Sequence, residues 1–284
     1  KPLEVCKMSP IEMITEQLPE STTAETIGIV GSESEAANLL FRFPPAINKK
    51  AVLIDEQSQI NTDYRFQILT VSSECLEDEQ ILDRVKNWVE PQAAGFQPAL
   101  VLSLQHVQIF WTPERIALFL NDECAEDIKS AVVEVSYYVA LLVTIETKLE
   151  TNWPDLEGDI PIAFQYDQQA SQQQKKLRKR FQETYTLRAQ LAKLTPFLLS
   201  PHTYPPTLAS QISDRLRERI RVEDRVEFVS DSLEVFEEVY ELCGQRASDF
   251  HHARKGHTLE WIIIILLAAE LLIVSFDYLS SLGS

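Results

Sequence analysis

The stretch HTLEWIIIILLAAELLIVSFDYL, residues 257–279, is the most apolar run in the chain, and Glu270 falls near its middle. Its reading decides the architecture. From Trp261 to Phe276 the only ionisable residue is Glu270. Residues 262–269 are apolar on every face of a helix, which a soluble amphipathic helix would not be. About 20 helical residues rise about 30 Å, the thickness of a bilayer core. The run is therefore expected to be a single C-terminal transmembrane anchor, with the central helix of a globular core as the competing reading. Trp261 and Tyr278 stand near its ends as interfacial aromatics do, and Glu260 precedes the first. Arg254 and Lys255 lie just before the run and only Asp277 is charged after it. The positive-inside rule then places the bulk of the chain on the cytosolic, matrix or stromal side, as a tail-anchored, single-pass protein. An ionised carboxylate in hydrocarbon costs about 2.5 kcal/mol or more. Glu270 is expected either to bond within its own helix or to make a hydrogen-bonding contact with another span.

Upstream of the run the chain has two characters. Residues 1–24 are polar and acidic without a period and read as a flexible lead-in. Residues 25–122 read as a small α/β domain. Strands are expected over 25–30, 49–55 and 65–71, a short helix over 32–43, and an amphipathic helix over 77–89. Two or three antiparallel strands follow within 98–120, with turns near Gln105 and Pro113. Residues 123–256 read as helical. Apolar residues at Ile128, Val132, Val135, Val139, Leu142, Ile145 and Leu149 mark a long helix with one buried stripe. A loop is expected over 151–161, and a second long helix over 171–200 interrupted near Pro196. From Leu208 a third pattern begins. Val222, Val226, Val229, Leu233, Phe236 and Tyr240 step by three and four, a heptad seam that suits either a bundle within the chain or a coiled coil between copies. The fold class expected is α+β: a small α/β domain, a helical bundle or coiled-coil region, and the anchor at 257–284.

Composition narrows the function. The net charge is −17 over 284 residues, which argues against a general nucleic-acid binder. Residues 1–150 hold 11 Lys and Arg against 24 Asp and Glu, and residues 151–284 hold 15 against 19. Two basic runs stand out. One is Lys175, Lys176, Arg178, Lys179 and Arg180; the other is Arg215, Arg217, Arg219 and Arg221. They read as solvated helix faces, or as contacts to anionic lipid or ribosomal RNA. The four cysteines lack metal or disulfide spacing and suggest a reducing compartment. The segment GIVGSESE, residues 28–35, has the outline of a phosphate loop but lacks the GxxxxGK[ST] pattern, and its acids would repel phosphate. His251, His252 and His257 lack partners at metal-ligand spacing. No nucleophile and base can be paired, so no cofactor, metal or catalytic residue is expected.

LEWIIIILLAAE, residues 259–270, resembles the C-terminal signature of the "required for meiotic nuclear division" family, which includes the Sad1-interacting factors. Glu260, Trp261 and Glu270 match that signature. Residues 221–254 are similar to the family's long helix before the anchor, and residues 135–150 to its small-residue helix ending in acids. The β-hairpin core is only loosely echoed by residues 100–113, and the first 90 residues have no counterpart. The resemblance implies a non-catalytic, membrane-anchored homo-oligomer. It would be a scaffold or tether holding a protein partner, such as translation or assembly machinery, at an organellar or bacterial inner membrane. The mitochondrial inner membrane is the first expectation, and nucleic acid would enter only through ribosome contact. An accessory subunit or assembly factor of a larger membrane complex is the alternative. An enzyme using the α/β domain is the third reading.

Overall fold

A computed structural model of the chain describes residues 14–15, 18–19, 21–34, 38–54, 61–90, 98–121, 125–164, 168–199 and 207–282. Side chains at 168–172, 174, 247–258 and 273–282 are outside that description. The chain divides into two compact units, one of Lys1–Ile145 with Leu191–Phe228, the other of Glu146–Gln190 with Val229–Ser284.

The first unit is built on a seven-stranded sheet: β1 (Thr23–Gly31), β2 (Leu39–Arg42), β3 (Lys49–Ile54), β4 (Tyr64–Ser72), β5 (Leu100–Leu104), β6 (Val107–Trp111) and β7 (Arg115–Leu120). Their spatial order is β2-β3-β1-β4-β7-β6-β5. All neighbours are antiparallel except β4 and β7, which run parallel from Gln67 beside Arg115 to Ser72 beside Leu120. A parallel pair needs a crossover. Here helix α1 (Glu79–Val89) and the β5–β6 hairpin occupy the connection. The central strands read as near-continuous apolar runs because both sheet faces are covered. On one face, Val85, Trp88 and Val89 of α1 pack on Leu69, Val71, Phe110 and Phe119. Asp78 caps α1 by accepting from the amides of Gln80 at 2.9 Å and Ile81 at 3.3 Å. On the sheet's other side, Trp111 donates its indole proton to Ser136 at 2.8 Å, and Tyr137 packs on Phe43 and Tyr64.

The strands expected over 25–30, 49–55 and 65–71 stand where the apolar runs put them, and the region 98–120 resolves into three strands. The expected helix over 32–43 is corrected. Residues 35–37 lie outside the described residues, and Leu39–Arg42 is an edge strand paired with β3. Pairing with Val52 and Ala51 gives Leu39 and Phe41 a sheet neighbour, and tertiary pairing overrides the local Ser-start signal. Gly28 also has a packing reason. A Cβ there would collide with Ile54 Cδ1 and sit 2.7 Å from Thr62 Cγ2, so this glycine serves close approach between strands.

Four more helices complete the chain: α2 (Ala125–Phe164), α3 (Gln168–Leu199), α4 (Leu208–Ile220) and α5 (Val222–Leu282). The loop expected over 151–161 is absent. Helix α2 continues through Pro154 and Pro161, and α3 continues through Pro196. Leu149, Leu156, Asp159 and Ala163 are all buried, so the inward spacing persists past both prolines and holds the helix together. The third helical pattern is broken once, at Arg221, whose φ is 58°. Its amide bonds back to Arg217 and Glu218, ending α4 in the left-handed cap normally given to glycine. Arg221→Gly should raise stability by about 0.5–1 kcal/mol by relieving that conformation. A urea midpoint unchanged or lowered would count against the strain.

The expected C-terminal transmembrane helix is also corrected. Residues 257–279 are no element of their own; they are the end of α5, one helix of 61 residues. Among the described residues, the helix long and apolar enough to cross a membrane is the central α2, and 67% of its apolar window is buried in the protein. The misreading has a simple cause: local composition changes at residue 257, but the helix runs on through Gly256 with no proline to stop it.

Candidate functional site

The heptad residues turn inward. Val222, Val226, Val229, Leu233, Phe236 and Tyr240 are all buried within the single chain. A seam between copies is therefore corrected to a seam inside the protein: apolar side chains at this spacing are covered by the chain's own helices. In the second unit, Phe236 meets Trp153 of α2 edge-on, with ring centroids 5.0 Å apart.

The first basic run divides at Arg180. Lys175, Lys176, Arg178 and Lys179 are exposed, whereas Arg180 points into the bundle. Its guanidinium pairs with Asp159, which is 3% exposed, and with the more exposed Asp155. It also donates to the Asp155 carbonyl at 3.3 Å. Burial works against the charge, but the hydrogen bond and charge of Asp159 hold the guanidinium above its ordinary value. The second run is largely neutralised by its neighbours. Arg215 pairs with Glu218 at 2.7 Å, Arg217 with Asp214 at 3.2 Å and Arg221 with Asp224 at 2.6 Å, leaving Arg219 exposed.

Tyr240 and Cys243 border the Arg180 cluster, the thiol lying 3.8 Å from the Asp159 carbonyl. Burial, then Asp159, pushes the Tyr240 phenol from 10.0 up to about 12 and the Cys243 thiol from 9.0 up to about 11. Both groups hold their protons more tightly when folded, so their contribution to stability is complete below pH about 9. It is lost as pH rises through 11 and 12. The urea midpoint should fall across that window, and Tyr240→Phe should flatten the fall. An equal slope in the variant would contradict the assignment.

The first unit carries an open groove of about 820 Å³, lined among others by Asp63, Tyr64, Arg65, Gln67, Glu114, Arg115 and Thr144. Several of these groups have internal partners. Tyr64 meets Thr144 Oγ1 at 2.5 Å, Asp63 pairs with Lys49, and Arg115 donates to the Trp88 carbonyl at 2.7 Å. Arg115 also lies 5.6 Å from the Trp88 ring centre. These bonds tie β4 and β7 to their surroundings and leave the groove without a paired nucleophile and base among the described residues.

Two surfaces of the second unit remain. The outer face of α5 exposes Val235 and Leu242 amid Asp231, Glu234, Glu238 and Glu241. The outer face of α3 exposes Tyr185 near Arg178 and Lys179. Farther along α5, every side chain from 259 to 272 is exposed, including Glu260, Trp261 and Glu270. Arg254, Lys255, Tyr278 and the three histidines fall where side chains are not described. The sequence reading missed Asp155 and Asp159 because it placed them in a loop. The signal was present: Asp159 continues the inward spacing Leu149, Leu156, Ala163. It also missed the outer face of α5, because the inner heptad dominates the pattern.

No family model and no curated protein matches the chain. Among solved structures, that of the full-length CmaX protein is similar at 13% identity. The match covers 85% of this chain and 82% of that one, with a TM-score of 0.36.

Proposed function

We propose that the protein is a non-catalytic scaffold that self-associates, works at a membrane and holds a protein partner there. One observation carries the reading. Residues 259–272 of α5 present leucine, isoleucine and tryptophan side chains to the surroundings on every face, Trp261 at 63% and Leu272 at 69% exposed. A contiguous apolar surface of this kind marks an interaction site, because water is a poor neighbour for it. Membrane association supplies the apolar cover. The resemblance in residues 259–270 supports translation or assembly machinery as the class of partner, and an organellar or bacterial inner membrane as the setting. The internally bonded polar groups of the first unit's groove support a binding role over catalysis.

The test is flotation of the full chain with lipid vesicles. The protein should rise with the lipid, and Ile263→Lys with Leu267→Lys should leave most of it at the bottom. A full chain that stays at the bottom overturns the reading. Glu270, one exposed carboxylate within that apolar surface, offers a polar contact to a partner protein and supports a second role as subunit or assembly factor of a larger membrane complex. That role expects Glu270→Leu to lose co-purification with the complex while still floating; retention of the complex would count against it.

A further inference from the structure

We propose that copies of the protein dock on one another, the basic outer face of α3 in one copy against the acidic outer face of α5 in another. The proposal rests on the self-association named above and assigns its surfaces. Both faces belong to the second unit. Residues 168–190 hold six cations against one acid, Glu183; residues 229–246 hold five acids against one cation, Arg246. Some of this charge is satisfied within the chain: Arg180 by Asp155 and Asp159, Arg188 by Glu237 at 3.9 Å, and Lys179 by Glu183 at 3.6 Å. Lys175, Lys176 and Arg178 have no acidic partner among the described residues, and Asp231, Glu234 and Glu238 have no basic one.

The spacing makes each face a ladder of like charges. On α5, Asp231, Glu234, Glu238 and Glu241 are separated by three, four and three residues. On α3, Lys175 stands three before Arg178 and four before Lys179. Like charges at these separations repel along a helix. An opposing ladder of the other sign relieves both. Exposed apolar side chains accompany each ladder, Val235 and Leu242 among the acids of α5 and Tyr185 beyond the cations of α3, and they add apolar area to the contact. Two acidic faces cannot meet each other, and neither can two basic ones. Each contact therefore pairs a basic face with an acidic one, reciprocally in a two-fold dimer or in sequence in a ring or filament.

The experiment uses the full chain in mild detergent, its mass read by native mass spectrometry and sedimentation. One variant carries Glu234→Lys, Glu238→Lys and Glu241→Lys; another carries Lys175→Glu, Lys176→Glu and Lys179→Glu. Each should weaken self-association at least tenfold, and a chain carrying both sets should reassemble. The milder Lys175→Gln with Lys179→Gln should weaken it in the same direction, and circular dichroism should show each variant folded. Oligomers unaffected by either reversal would overturn the proposal, as would folded double-set chains that stay apart. A wild-type monomer would remove self-association as well. Flotation reads the membrane role separately, so the two failures are distinguishable.

Discussion

Arg180→Met should lower stability by about 3–5 kcal/mol, read as a fall in the urea midpoint. The replacement keeps the length of the side chain but removes the cation from a carboxylate that has little access to water, Asp159 being 3% exposed. A buried ion left without its partner bears the desolvation cost alone, which is why breaking such a pair is far more damaging than its net worth suggests. Asp155 is over half exposed and can turn to solvent, so the damage concentrates on Asp159. The same reasoning gives a second arm. Asp159→Leu combined with Arg180→Met should recover most of the loss, because an apolar pair of similar volume needs no compensation there. A cost below about 1 kcal/mol for the single change, or no recovery in the double, would show that water reaches the cluster.

Phe236→Ala should cost about 3–5 kcal/mol. The ring is 1% exposed and touches Trp153 and Tyr240, with centroids 5.0 and 6.3 Å away. Alanine would leave a cavity in a seam whose neighbours are themselves rigid aromatics. The measurement also separates the two roles a heptad can play. A seam inside the chain gives a loss independent of protein concentration, whereas a seam between copies gives one that shrinks as the protein is concentrated. The burial of Val229, Leu233 and Phe236 leads us to expect the concentration-independent result.

Much of the sheet was legible because strands β1, β3, β4 and the β5–β7 run are short apolar segments bounded by turn residues. The order of the strands was not, since the parallel pairing of β4 with β7 depends on residues nearly 50 positions apart. The prolines of α2 were read as a loop because proline lacks a backbone donor. The error came from weighing those two residues above the apolar spacing that continues around them. At the terminal run the mistake had the opposite form: composition was taken for a boundary, and α5 was cut where it is continuous. Of the candidate surfaces, the charge runs were visible in the sequence. That Arg180 faces inward and Lys179 outward follows from one hundred degrees of helical turn, which only a fixed register reveals.

Pro154 and Pro161 stand seven residues apart on the exposed side of α2. Each withholds an amide from the carbonyl four residues earlier, at Glu150 and Glu157, both exposed. One helical face therefore lacks a rung at two points about two turns apart, while the opposite face is clamped by Leu156 and Asp159. Amide exchange with deuterated water should expose this asymmetry. Solvent-side amides near the missing rungs should label through brief local openings, long before those facing Arg180, which await the opening of the bundle itself.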